Sequence, residues 1–206
     1  MKKFRGKERK KRLKTEAPGG DSTRDALIQA GLAELNEHGI QDFSTRRVAK
    51  KCGVSCAAPY KHFKDTQAFI AAILTYINSL YDERQQRTLA RFAQYDSRRQ
   101  LLEAALDYVR FLAENPEFRR IIMQNYRGGD SEFHVLRGKL SLPIYRLMAR
   151  YCRDVNMPPE VRRRKTFIFR SIIYGAAMFF DTGELMYNEE NMLLVAQALD
   201  REFDLP

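Results

Sequence analysis

Phe43-Ser44-Thr45-Arg46-Arg47-Val48-Ala49-Lys50-Lys51-Cys52-Gly53-Val54-Ser55-Cys56-Ala57-Ala58-Pro59-Tyr60-Lys61-His62-Phe63 reads as two short helices joined by a tight turn. Ser44 or Thr45 can cap the first helix, because a side-chain oxygen satisfies the unpaired amide donors of a first helical turn. Val48 and Ala49 form its apolar side, and Gly53 stops it by reaching the left-handed conformation. Ser55 is expected to cap a second helix that runs to about His62, with Pro59 tolerated in its first turn. On that helix Cys56, Ala57, Ala58 and Lys61 face outward, while Val54, Pro59 and Phe63 pack inward. The pattern is a helix-turn-helix, whose second helix enters the major groove of DNA. Arg46, Arg47, Lys50, Lys51, Lys61 and Lys64 are all basic, and no acid lies between Phe43 and Lys64.

The charge of the whole chain is distributed in the same sense. Its 206 residues carry a net charge of +10. Residues 1–14 hold nine Lys or Arg and one Glu, and residues 45–64 hold six bases and no acid. Residues 65–206 are close to neutral, with twenty bases against nineteen acids. Basic N-terminal arms often bind nucleic acid. The arm, Lys2 to Lys14, either follows the minor groove beside the recognition helix or only raises non-specific affinity.

Other classes lack their signatures. The basic N-terminus is not followed by an apolar h-region, so no signal peptide is expected. The apolar run at 171–180 is far shorter than a bilayer requires. Cys52, Cys56 and Cys152 form no CxxC or Cys/His metal spacing and read as reduced thiols of a cytoplasmic protein. Cys52 and Cys56 are either small apolar residues or a thiol sensor. His38, His62 and His134 are far apart, and there is no Gly-rich phosphate loop or nucleophile elbow. No enzyme activity, cofactor or metal is expected.

Along the chain, residues 1–21 read as a basic flexible arm ending in Ala17-Pro18-Gly19-Gly20. Apolar residues at Ala26, Leu27, Ala30, Leu32, Ala33 and Leu35 give an amphipathic helix closed by His38-Gly39. Asp65 can cap a long helix carrying Phe69, Ile70, Ile73, Leu74, Ile77, Leu80 and Tyr81. Further helices are expected over 97–114, ended by Asn115-Pro116, and over 117–126. Another spans 131–155, bent or interrupted at Pro143. Pro158-Pro159 opens a helix to Thr182, and 189–203 is the last. The predicted fold is all-α, with an arm (1–21), a helix-turn-helix domain (22–68) and a helical ligand-binding and dimerisation domain (69–206).

Residues 23–70 resemble the N-terminal domain of the TetR-type transcriptional regulators. The resemblance rests on Thr23, Ala30, Leu35, His38-Gly39, Ser44-Thr45-Arg46-Arg47-Val48-Ala49, Gly53-Val54-Ser55 and Tyr60-Lys61-His62-Phe63. It implies a regulator that binds a DNA operator as a homodimer, most often as a repressor, and is released when a small-molecule effector fills a pocket in the C-terminal domain. One position departs from the family pattern. Where the family carries a phosphate-contacting Lys three residues after Tyr-x-His-Phe, this chain has Thr66. Lys64 can supply the cation instead, or the Thr66 hydroxyl and helix amides can bind the phosphate.

The expected DNA contacts are Ser44, Thr45, Arg46, Ser55, Cys56, Ala57, Ala58, Tyr60, Lys61, His62, Lys64 and Thr66. Cys56, Ala57 and Ala58 have almost no hydrogen-bonding capacity and suit thymine methyls, which leaves hydrogen-bonded base reading to Arg46 and Lys61. Tyr60 and His62 suit phosphate, although His62 also fits a packed structural histidine. The candidate pocket residues are Tyr108, Met123, Tyr126, Phe133, His134, Arg170, Tyr174 and Met178. Arg170 lies among Phe167, Ile168, Phe169, Ile172 and Ile173, where burial would demand an anionic partner, either an internal carboxylate or a ligand. The helix 159–182 is apolar nearly all round from Phe167 onward and so needs a partner on its second side. Ser171, Gly175, Ala176 and Phe179, with Met192, Val195, Ala196 and Leu199, are the candidate interface of a symmetric dimer. Two other readings use the same features: a low-specificity DNA-organising protein, and an interaction protein acting through its C-terminal surface.

Overall fold

The computed structural model describes residues 22–123, 135–136 and 138–204. The arm expected over 1–21 lies outside them. Helix α1 (Ser22–His38) and α2 (Thr45–Lys51) precede a short 3-10 turn (Pro59–Lys61) and the long α3 (Thr66–Arg91). Helices α4 (Ser97–Glu114), α5 (Pro116–Met123), α6 (Leu142–Asp154), α7 (Pro159–Thr182) and α8 (Glu189–Asp204) form the body. Among the described residues there is no strand, and the all-α class holds.

The helix starts follow from capping chemistry. Ser44 Oγ accepts the Arg47 amide at 3.3 Å, Asp65 accepts the Ala68 amide at 2.7 Å, and Asp96 accepts the Arg99 amide at 2.8 Å. Gly53, at φ 68°, follows the end of α2 in the left-handed conformation that a Cβ disfavours. Near Pro143 the helical stretch is interrupted and not bent: residues 135–136 and 138–139 are helical, the chain turns at 140–141, and a new helix starts at Leu142. Pro143 falls in the first turn of α6, where its missing amide costs no intrahelical bond.

The second helix of the helix-turn-helix differs from expectation. Residues 55–58 form a turn, with the Ala58 amide bonded to the Ser55 carbonyl at 2.9 Å, and only the 3-10 turn at 59–61 is helical. In a helix capped at Ser55, residue 59 would supply the first amide to bond back to the Ser55 carbonyl. Proline has none. The chain therefore strings i→i−3 bonds together (Lys61 to Ala58, His62 to Pro59) and gains an i→i−4 bond only at Phe63, which reaches Pro59 at 2.9 Å.

Aromatic packing fixes this segment on α3. The rings of Phe63 and Phe69 stack at 4.1 Å between centroids, 6° from parallel, and Phe43 meets Phe69 edge-on at 5.5 Å. Gly31 lets α1 approach the same helix: a Cβ there would sit 2.7 Å from Ile73 Cδ1 and 3.2 Å from the Phe69 ring. In the body, α4 is the central element, packed against α3, α5, α6, α7 and α8. Leu101, Ala105, Tyr108, Val109 and Leu112 bury its inner face.

Ion pairs tie the body helices together. Arg84 on α3 bonds Asp107 and Glu114 on α4, and Arg98 on α4 bonds Asp200 and Asp204 on α8. The buried Arg119 on α5 donates to the Leu112 carbonyl and pairs with Asp181 on α7. Lys165 on α7 donates to the Glu202 carbonyl of α8.

Candidate nucleic-acid interface and effector cavity

The six bases of the helix-turn-helix divide into two sets. Glu34 on α1 has a fully buried carboxylate that accepts from Arg47 Nε and, at 3.4 Å, from Lys51 Nζ. Lys51 also reaches Glu37 at 2.9 Å, which holds the Glu37 carboxyl below its ordinary range and raises the Lys51 ammonium. Arg47 further donates to the Asp42 carbonyl. These two cations hold α2 against α1. Arg46, Lys50, Lys61 and Lys64 are exposed and have no ion-pair partner among the described residues. Sequence reasoning missed Glu34, although a signal was present: it lies seven residues after Leu27, on the buried face of α1.

The other expected contacts surround that second set. Ser55, Cys56, Ala57 and Tyr60 are exposed and Ala58 is half-buried, while Pro59 and Phe63 face the core. His62 is half-buried, its ring 6.3 Å from that of Phe63. Thr45, expected at the surface, is buried; its hydroxyl lies 3.2 Å from that of Thr66 and links the starts of α2 and α3. Ser44 is half-buried and its hydroxyl is engaged in the cap. The result is a turn of Cys56, Ala57 and the half-buried Ala58, with exposed cations before it in the chain at Arg46 and Lys50 and after it at Lys61 and Lys64. Cys56 is free, and the half-buried Cys52 donates weakly to the Ala26 carbonyl at 3.5 Å. Burial pushes the Cys52 thiol up, away from the thiolate a sensor needs.

In the body, a small cavity of about 10 Å³ lies between α4, α6 and α7. Of the expected pocket residues it brings together Tyr108, Arg170 and Tyr174. Tyr126, Phe133, His134 and the side chain of Met123 lie outside the described residues. Met178 does not belong to this cavity, because it points to the exterior of α7. Arg170 is exposed, not buried, and among the described residues no carboxylate pairs with it. Its guanidinium lies 5.2 Å from the Tyr145 ring centroid and 5.9 Å from that of Tyr174. The apolar run around it misled the expectation, since Phe169 and Ile173 point inward from the same helix while Phe167 and Arg170 point outward. Tyr108 and Tyr174 place their hydroxyls 3.4 Å apart, and burial raises the Tyr108 phenol well above its ordinary value.

The proposed dimer surface also shifts. Ala176, Met192, Val195 and Leu199 are buried in the chain's own core, and Ala196 is half-buried against it. The apolar side chains that α7 and α8 leave exposed are Phe167, Met178, Phe179, Leu193 and Leu194, with Ser171 beside them. Gly175 has open space where a Cβ would stand.

A helix-turn-helix carried by an all-α body defines a DNA-binding regulator. Residues 27–73 match the family model for bacterial regulatory proteins of the tetR family. The tetracycline repressor protein class C of Escherichia coli is 40% identical over 50 residues, covering 24% of this chain and 23% of that protein. The class D repressor of the same species is 33% identical over 107 residues, covering 52% of this chain and 42% of the repressor. The chain thus spans less than half the length of these curated relatives. A TetR family transcription regulator from Marinobacter aquaeolei VT8 superimposes with a TM-score of 0.71 over 88% of this chain and 95% of its own, at 20% identity. A protein of unknown function from Rhodococcus sp. RHA1 gives 0.66 over 91% and 97%, also at 20% identity. These two likenesses are of fold. Residues 27–73 thus carry the DNA-binding domain of the tetR family of bacterial regulatory proteins, which supports a TetR-type transcriptional regulator.

Proposed function

We propose that the protein is a ligand-responsive repressor that binds a palindromic operator as a homodimer and leaves it when a small molecule occupies the body. It works in the cytoplasm, with domains divided near residues 21 and 68, and carries out no catalysis. The observation that carries the DNA reading is the turn of Cys56, Ala57 and Ala58 together with four exposed cations of the same motif, Arg46, Lys50, Lys61 and Lys64, that have no ion-pair partner among the described residues. Such a turn suits thymine methyls, and Arg46 and Lys61 suit base edges or phosphates. The outward apolar face of α7 and α8 supports dimerisation, since a two-fold dimer would set two recognition segments one DNA turn apart.

Packing between the cavity and α3 supports a route for the signal. The cavity touches Tyr108 on α4, whose ring lies 4.9 Å from that of Tyr81 on α3, and α3 begins directly after the recognition segment. A ligand would act by binding the DNA-free arrangement more tightly than the DNA-bound one.

The test is titration of the full chain against a duplex from its own upstream region and against a random duplex, at several salt concentrations. The expected result is strong preference for the upstream duplex, with a log–log salt slope of about −0.9 per phosphate neutralised. Equal affinity for both duplexes would favour the low-specificity DNA-organising protein. Deleting residues 1–14 should flatten the slope if the arm contacts DNA.

A further inference from the structure

The cavity of the body has a chemistry of its own. Tyr108, Tyr145, Tyr174, Arg170, Ser141 and Thr166 are among the residues that line it, the wall they present is almost wholly apolar, and among the described residues that line it there is no Asp or Glu. Its floor is apolar, with Ile144, Met148, Phe169 and Ile173. The cation at its rim is treated differently from Arg84, Arg98 and Arg119, each of which pairs with a carboxylate of a neighbouring helix. Arg170 has none among the described residues; its guanidinium rests on two tyrosine rings, a weak attraction at an exposed site. The two phenols beside it contribute a second donor. Tyr108 and Tyr174 have two hydroxyl protons, and the bond between them uses one. The other is left over, and burial of Tyr108 keeps its phenol protonated at neutral pH.

We infer that this cavity takes an organic anion: a carboxylate held by Arg170 and the spare tyrosine hydroxyl, with an aromatic or aliphatic body against the apolar floor. The assignment rests on the effector reading above and narrows it to a chemical class. As it stands the cavity has room for about one water. A larger ligand enters by displacing Arg170 and the half-buried Tyr145 from the rim. The ion pair that forms replaces a contact with two rings by a charge-assisted hydrogen bond, the stronger interaction.

The test uses the full chain and calorimetric titration at neutral pH with benzoate, 2-naphthoate and decanoate, and with 2-naphthamide as the uncharged isostere of the second. The expected result is binding of at least one acid, with the naphthamide weaker than naphthoate by about tenfold or more. Arg170→Gln should abolish that preference, Arg170→Lys should restore part of it, and Tyr174→Phe should weaken the acid more than the amide. Because Arg170 is exposed, the Gln variant should melt with the parent, which separates loss of the site from loss of the fold. No binding of any acid, equal binding of acid and amide, or an unchanged preference in Arg170→Gln would overturn the inference. Operator affinity, measured separately, keeps the two proposals apart. A protein that binds its operator but ignores all three acids refutes the anion site alone. One that takes up the acid through Arg170 without change in DNA affinity keeps the site and contradicts the effector reading.

Discussion

The helix-turn-helix and the helical body use their cations to opposite ends. In the helix-turn-helix Arg46, Lys50, Lys61 and Lys64 are exposed and have no ion-pair partner among the described residues, while Arg47 and Lys51 are held on the buried Glu34. In the body Arg84, Arg98 and Arg119 each join two helices through a carboxylate. A cation of the first kind is available to phosphate or to a base edge; one of the second kind fixes the spacing between helices. The contrast teaches that charge count alone does not assign a cation's role: within the helix-turn-helix, partnering separates the cations that build the domain from those that are available. The body has exposed cations without an ion-pair partner among the described residues as well, Arg87, Arg146 and Arg163 among them, and what sets Arg170 apart from these is its place beside the cavity.

The largest expected effect breaks the body's side of the contrast. Arg119 is buried, and Arg119→Ala would leave Asp181 unpaired and the Leu112 carbonyl without its donor. The expected cost is about 3 kcal/mol, at the low end for a broken buried pair because Asp181 keeps part of its hydration. For a chain of this size that is a fall in Tm of about 6–12 °C, read by thermal melting. A variant that melts with the parent would show that the pair does not hold α5 to α7.

Gly175→Leu probes the outer face of the same body. Within one chain a Cβ at Gly175 meets nothing, so the monomer should fold normally. A partner packed there would object, by about 1–3 kcal/mol of association free energy. Sedimentation should show a weakened dimer with reduced operator binding. A fully dimeric variant with parent affinity would place the interface elsewhere.

The smallest effect is on acid stability, and it compares the two regions directly. The hydrogen bond from Lys51 lowers the Glu37 carboxyl, and that from Arg98 lowers Asp204. A carboxyl depressed in the folded state contributes stability that is fully present above its unfolded pKa, about 3.9 for Asp and 4.3 for Glu, and is lost as pH falls through the folded value. Glu37→Gln and Asp204→Asn should each flatten the loss of stability below about pH 4. Denaturant melts from pH 7 to pH 2 would show it. An acid limb as steep as the parent's in both variants would mean that neither pair matters.

The two regions also differ in what their sequence reveals. The helix-turn-helix is legible because its signals are short-range: the Ser44 cap, the Gly53 stop and the inward-facing Pro59 and Phe63 all stand where the spacing put them. The helix expected over 55–62 is reduced to the 3-10 turn at 59–61 because Pro59 lacks the amide that a helix capped at Ser55 would need first. In the body, the helix limits at 97–114 and 159–182 follow from Asn115-Pro116 and from Pro158-Pro159 and Gly183. The faces of those helices do not follow. On α8 both Met192, Val195, Leu199 and Leu193, Leu194 are apolar, and only packing shows that the first set is internal and the second exposed. The cavity escapes for a related reason: it is assembled from separate helices, and no local spacing marks Tyr108 as a neighbour of Tyr174.

The central claim, that the unpartnered cations meet DNA while the partnered ones build the domain, is tested most directly by one paired measurement. Arg46→Ala and Arg47→Ala would be compared for thermal stability and for affinity toward a set of upstream duplexes differing by single base pairs. The account predicts that Arg46→Ala melts with the parent and loses affinity, relaxing discrimination at one base pair of each half-site by about 1–3 kcal/mol. Arg47→Ala should melt lower and, where folded, keep its DNA affinity. The opposite pattern, with Arg47→Ala stable but unable to bind DNA and Arg46→Ala binding normally, would contradict it.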